Sequence, residues 1–499
     1  MRRIFPVIAA IGLAGFGVAR AETAPKSLSE AGRALYGHIV GQLDTMSAPD
    51  ASLRHGPIAI DEGGTGFHVV IPDVAMTLAE GGTIRLGTIE ADLTPEGPDV
   101  YDVALTLPRL ITVADETGAE IGHATVGESS FTGTWAPVTG GYLDQKLRLA
   151  DVVVTFPDSG FEARAVLAAY EAALTPSNDS KVTGPSAFLL DGLSISDGQG
   201  HEIVRLGFLA GTSAVRALDR AAMLKLNQGF AALGEAGQPN ADGTPAAPLD
   251  LSFLPTALGD IIADASTDVT LENLTIMDPT GAGGVIIDRL GLASDVTDLD
   301  GELARLHLSY RHDGLQATGE AASPLVPDVV NLEINVERLP AARLYVMAVA
   351  AGAMAAVAPD ATGSQALAQL PALFAQSATE VKIGALDLAM AGAKLYGSGT
   401  IAGDPNATGG VVGGFTLFAS GLESAIATLT ANPEDAEAQQ AGFFFSLLQS
   451  LGAPETAADG APVLAYRVAL DPAGNHTLNG QNLGELFSGM AGGEPGATP

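Results

Sequence analysis

Apolar and polar residues alternate with a period of two along much of this chain, which is the pattern of strands that bury one face. The alternation is densest over 66–161, where runs such as 101–107 and 146–156 lie between Gly and Pro punctuation and predict an antiparallel meander. A phrase recurs inside the pattern. Leu190-Asp-Gly-Leu193-Ser-Ile195-Ser-Asp197-Gly-Gln-Gly200 and Leu271-Glu-Asn-Leu274-Thr-Ile276-Met-Asp278-Pro-Thr-Gly281 both read L-x-x-L-x-I-x-D-x-x-G. A copy from Leu107 reaches Asp115 and Gly118 with one residue more, one from Ile71 reaches Leu78 and Gly81 without the aspartate, and a looser one starts at Ile383. Each of Arg85-Leu86-Gly87, Arg205-Leu206-Gly207 and Arg289-Leu290-Gly291 follows the glycine of its unit. Asp and Gly close a turn and a second strand returns beside the first, so each unit predicts a β-hairpin with its aspartate in an Asx-turn.

The period lengthens to that of a helix at 27–46, 213–236, 253–265, 341–358, 364–378 and 434–451. The last has Asn432 to cap, Pro433 for the first turn and Gly452 to stop it, and its Phe443, Phe444 and Phe445 are expected to enter a core. Strands and helices together predict an α+β fold. The expected segments are 22–180 (a helix plus a β-meander), 181–335 (hairpin repeats with a helical insert) and 336–490 (a helical and β module), with 491–499 a disordered tail.

The amino terminus breaks the pattern. Met1-Arg2-Arg3 precedes the uncharged stretch 4–19, which is interrupted by Pro6 and falls short of the ~20 residues a membrane-spanning helix needs. Ala19 and Ala21 offer small side chains at the −3 and −1 positions of a cleavage site. Residues 1–21 are therefore expected to be a signal peptide cleaved after Ala21, placing the mature chain in the periplasm without a transmembrane span. With no cysteine, disulfides, thiolate metal sites and a lipidated amino-terminal cysteine are all excluded. A formal charge of −34 repels nucleic acid and anionic headgroups. Aromatic residues are only 5% of the chain against 47% hydrophobic, so the core must be built from Ala, Leu, Val and Ile.

Catalytic patterns do not emerge. The eight histidines form no H-x-x-x-H pair, and His307 and His312, five apart in a strand, face opposite sides of a sheet. There is no G-x-S-x-G elbow. Gly397-Ser-Gly399 to Gly403 has phosphate-loop glycines without the closing spacing or the helix, so a bulge or tight turn is expected. Asp295, Asp298 and Asp300 lack calcium-loop spacing and read as a solvated turn. No catalytic, cofactor-binding or metal residue is assigned. The stretch 344–358 is uncharged and too short to cross a membrane, which predicts burial within the fold or the lining of an apolar groove. Leu344, Met347, Met354, Phe443, Phe444 and Phe445 are the candidate lining.

The carboxy-terminal third carries a resemblance in Leu386-Asp-Leu-Ala-Met, the glycines 397 and 399, the strand Ala465 to Leu470, the Asp471-Pro-Ala-Gly474 turn and Leu478-Asn479-Gly480-Gln481-Asn-Leu483. These residues resemble YdgA-like envelope proteins and, more distantly, AsmA-like proteins. The resemblance implies an extended, curved antiparallel sheet with helices packed on one side, and a role in outer-membrane or lipid homeostasis. The leading expectation is a non-enzymatic protein of envelope maintenance that binds lipid or a partner protein in a β-groove, needs no cofactor and binds no nucleic acid. A carboxylate-dependent hydrolase of envelope polysaccharide or peptide and a structural or adhesive module are the alternatives.

Overall fold

The computed structural model of the chain describes residues 25, 27–45, 51–78, 81–137, 141–177, 181–223, 225, 226, 229, 258–319, 326–355 and 362–485. The expected signal segment and the tail 491–499 lie outside them. The described chain is mostly antiparallel β-sheet with a few helices, as the alternation predicts. It divides into two compact units, Met1–Leu224 with Thr275–Pro279, and Lys225–Leu274 with Thr280–Pro499.

In the first unit α1 (Glu30–Thr45) precedes β1 (Ala51–Arg54), β2 (Ala59–Gly63), β3 (Gly66–Leu78), β4 (Thr83–Gly97), β5 (Val100–Thr106), β6 (Leu110–Ala114), β7 (Glu120–Ala136), β8 (Gly141–Phe156), β9 (Phe161–Ala173), β10 (Thr175–Pro176), β11 (Lys181–Ser196) and β12 (Glu202–Asp219). β7, β8, β9, β11 and β12 are successive antiparallel neighbours. Helix α1 opens where the Ser29 hydroxyl accepts from the Gly32 amide at 3.1 Å. Its Leu35, Tyr36, Ile39 and Leu43 close over Val69, Ile71, Val74 and Trp135, and a second core gathers Ile84, Ile111, Val113, Ala124, Val154 and Ala163.

The second unit holds β13 (Asp264–Met277) for most of its length, β14 (Gly283–Thr297), β15 (Ala304–Asp313), β16 (Gln316–Gly319), β17 (Val329–Leu339), α2 (Ala341–Ala355), α3 (Thr362–Ser377), β18 (Glu380–Met390), β19 (Ala393–Gly403), β20 (Val411–Ser420), α4 (Leu422–Leu429), α5 (Ala436–Leu451), β21 (Ala453–Thr456), β22 (Pro462–Leu470), β23 (His476–Leu478) and β24 (Gln481–Asn482). β14, β15, β17, β18, β19, β20 and β22 pair in that order, all antiparallel. Its core lies where α4 and α5 meet β19, β20 and β22, around Leu422, Ala425, Leu429, Phe445 and Tyr466.

The repeated phrase has a geometric meaning that alternation alone does not convey. In L-x-x-L the third residue is left-handed: Asp73 has φ 54°, Gly192 63° and Asn273 54°. At Asp73 the left-handed residue takes up one extra position, since Ile71 and Val74 stand opposite Ile89 and Gly87, so the second apolar residue returns to the face of the first. Val69, Ile71 and Val74 accordingly enter one core although Ile71 and Val74 are three apart. The glycine of R-L-G stands across from the kink. Gly87 pairs with Val74 where the register shifts, and Gly207 falls opposite Gly192 between the pairs Asp191–Phe208 and Leu193–Leu206. The copy at Ile383 shifts register between Ile383 and Leu386, whereas the copy at Leu107 breaks into β5 and β6.

The D-x-x-G limbs are the expected turns. The Gly118 and Gly200 amides donate to the carbonyls of Asp115 and Asp197 at 3.0 Å, and each glycine is left-handed. The Asp115 carboxylate accepts from the amides of Thr117 and Ala119, and that of Asp197 from Gln199 and His201.

Three sequence expectations change. The helix expected over 213–236 yields, as far as Asp219, to β12, because Ser213 and its neighbours pair with 181–186 and long-range pairing overrides the local preference of an Ala-rich run. Of the helix expected over 253–265, the described part is a single 3-10 turn, Leu258–Asp260, followed by β13 from Asp264. Helix α5 starts at Ala436, capped by the Asp435 carboxylate on the Ala438 amide at 3.0 Å, while Asn432 holds the Glu434 amide in the preceding turn.

Candidate functional site

Cross-strand partners in an antiparallel pair share a face, so the register of the second unit shows what each face presents. One row runs Leu292, Tyr310, Leu332, Leu386, Gly397, Leu417, Tyr466 across β14 to β22. The next on one side runs Leu290, His312, Val330, Leu388, Leu395, Ala419, Leu464. On the other side come Ser294, Leu308, Ile334, Ile383, Gly399, Phe415, Val468, and then Val296, Leu306, Val336, Val381, Ile401, Gly413, Leu470. None of these positions holds Asp, Glu, Lys or Arg. The opposite face alternates with them and carries Asp295, Arg305, Arg311, Glu333, Glu337, Lys382 and Asp387.

The uncharged rows are unevenly covered. Leu395, Leu417, Leu464 and Tyr466 pack under α4 and α5. Away from that corner Leu292 is 50% exposed, Ile401 49%, Leu308 38% and Val468 38%. Among the described residues, Leu290, Leu306, Tyr310 and Leu332 are only half-buried. His312 is the polar group the face accommodates best: it is buried, with Nδ1 accepting from the Tyr310 hydroxyl at 2.9 Å and Nε2 donating to the Pro327 carbonyl at 3.0 Å. His307 lies on the polar face against Asn335, so the two histidines do face opposite sides.

The first unit repeats the arrangement on a smaller scale. Phe131, Leu147, Tyr170, Phe188 and Gly211 form one uncharged row across β7 to β12, and Ser129, Leu149, Ala168, Leu190 and Leu209 the next. Tyr170 and Phe188, an adjacent cross-strand pair, are more than a third exposed.

The candidate lining residues do not assemble into one site. Leu344 and Met347 are half-buried on α2, which packs against α3, and the side chain of Met354 lies outside the described residues. Phe445 is in the core, but Phe443 is 73% and Phe444 54% exposed, so one phenylalanine of the three enters the core and the other two project from α5. A helix turns about 100° per residue, so three consecutive side chains cannot share its buried stripe.

Two shallow depressions lie among the charged side chains of the sheet. One of about 230 Å³ is lined by Asp295, Arg305, His307, Asn335 and Glu337, and another of about 310 Å³ by Arg311, Asp313, Asn331, Asp387 and Lys394. In the second, Asp313 is held by Arg311 at 2.9 Å and Asp387 lies 3.9 Å from Lys394. Asp298 is held by Arg305 at 2.7 Å. Hydrogen bonds hold several carboxyls below the usual carboxylate range: the Thr117 hydroxyl for Asp115, the His201 amide for Asp197, Arg164 for Glu162, Arg467 for Glu455 and the Asn475 side chain for Asp471. That direction suits turns and ion pairs, and is opposite to the one a general acid needs. Gly397 and Gly399 sit inside β19, where a side chain on Gly397 would run into the Thr416 carbonyl, so they serve close strand approach. Among the described residues no three acidic or histidine side chains converge as a metal site would require.

Comparison with known proteins gives no match: no family model fits the chain, and no curated protein or solved structure is significantly similar to it.

Proposed function

We propose that this chain is a non-enzymatic, exported protein of the cell envelope that shelters the acyl chains of lipid against its uncharged sheet face. The observation that carries the reading is the set of four charge-free rows across β14 to β22, which leave Leu292, Leu308, Ile401 and Val468 exposed where α4 and α5 do not cover them. Two-residue steps of ~6.7 Å and strand spacings of ~4.8 Å give these rows an extent of roughly 20 by 29 Å. Soluble monomers rarely leave apolar patches beyond a few hundred Å² without an occupant. The extent of about 20 Å along the strands exceeds the ~15 Å that one leaflet contributes to a hydrocarbon core, so an acyl chain fits along the strands. The charge-free composition favours hydrocarbon over a peptide, whose backbone would leave polar groups unpaired on such a face.

The test is native mass spectrometry, with solvent extraction, of protein purified from the envelope fraction of an expressing bacterium. Bound lipid is expected, and placing Asp at both Leu292 and Leu308 should remove most of it while the fold persists. Protein that carries no lipid, or lipid that is retained in full by that double variant, overturns the reading.

A further inference from the structure

Helix α5 inserts Phe445 among Leu422, Leu429 and Tyr466 and turns Phe443 and Phe444 outward, 73% and 54% exposed. Two adjacent phenylalanines left in water are costly unless something covers them. Their surroundings restrict the occupant. Glu437 is the one charged residue of α5, and the sequence has no Lys or Arg between Lys394 and Arg467. An anionic bilayer is therefore repelled, and a second copy of a chain with net charge −34 is disfavoured in the same way. Protein–protein hot spots are enriched in Trp, Tyr and Arg, which combine contact area with a polar handle. Phe443 and Phe444 offer ring surface alone, which suits hydrocarbon.

We propose that Phe443 and Phe444 dock the protein on a neutral, zwitterionic bilayer surface. For its purpose this rests on the lipid-sheltering reading: α5 also packs over Leu417 and Leu464 at the edge of the uncharged rows, so docking through its outer side holds a lipid source beside the face that would receive it. The packing of α5 does not depend on the two rings, because its buried positions are Ala438, Gly442 and Phe445. Gly442 lets α4 approach, since a side chain there would press on the Thr430 methyl at 2.7 Å.

Vesicle flotation of the full chain tests the proposal. The wild-type protein should float with phosphatidylcholine vesicles and less well when phosphatidylglycerol is added. Phe443→Ser combined with Phe444→Ser should lower the partition coefficient at least ~10-fold with an unchanged thermal midpoint, and Phe443→Leu should keep most of the binding. A wild-type protein that does not float, a double variant that floats equally well, or a preference for the anionic vesicles overturns the proposal. So does a wild-type dimer in sedimentation that the double variant abolishes, which would make the rings a self-interface. Flotation without lipid in the purified protein would keep the docking and remove the sheltering; bound lipid with no flotation would do the reverse.

Discussion

The kink at Asp73 explains how β3 keeps one apolar face across an odd spacing. Gly192, with φ 63°, would bring a side chain to 2.6 Å from the Val166 methyl, so the position excludes bulk as well as requiring left-handed backbone. Gly192→Val should cost about 1–3 kcal/mol, the usual range for a strained non-glycine residue in this region, read as a lower urea midpoint. The turn aspartates act through charge. Asp115, Asp197 and Asp471 have folded-state pKa values below the ordinary carboxylate value, so the unfolded chain takes up protons first as pH falls. Their contribution is complete above the unfolded value of about 4 and is lost as pH drops through the lower folded ones. Replacing Asp115, Asp197 and Asp471 by Ala should flatten that acid limb in urea titrations made across pH. The turns could be read in the sequence because D-x-x-G is local chemistry. The kinks could not, because Asp73, Gly192 and Asn273 share no residue type, and only the flanking apolar spacing betrays them.

At the scale of elements, α4 and α5 show how packing sorts neighbours of one kind. Phe445→Ala should open a cavity beneath α5 and cost roughly 3–5 kcal/mol, whereas Phe443→Ala should stay within about 0.5 kcal/mol; thermal or urea unfolding of the two variants separates them. The run of three phenylalanines signalled a core contact but not which ring makes it, since that depends on the rotation of α5 against α4, set by Ala425, Leu429 and the close approach at Gly442. The end of β12 illustrates the opposite error. Residues 213–219 begin a run with helical spacing in the sequence, and they become strand because β11 supplies partners up to Lys181. Helix α4 escaped notice in the sequence because eight residues hold barely two helical turns, too few to set a period.

Across the whole molecule, acidic residues exceed basic ones by 34, and mutual repulsion opposes compaction. Raising the ionic strength from ~0.01 to ~0.15 M shortens the Debye length from ~30 to ~8 Å, so the thermal midpoint should rise with salt, and a fall would show that ion pairs such as Arg467–Glu455 outweigh the repulsion. The sequence by itself determined the predominance of antiparallel strands, the hairpin turns and the charge-poor character of alternate positions, because period and turn chemistry are properties of a few consecutive residues. The tertiary structure alone decided which alternate positions join into uncharged rows, that α4 and α5 cover one corner of those rows, and that Phe443 and Phe444 are left outside. Register and cover are set by pairings between residues far apart in the chain, where a shift of one residue exchanges the two faces of a strand.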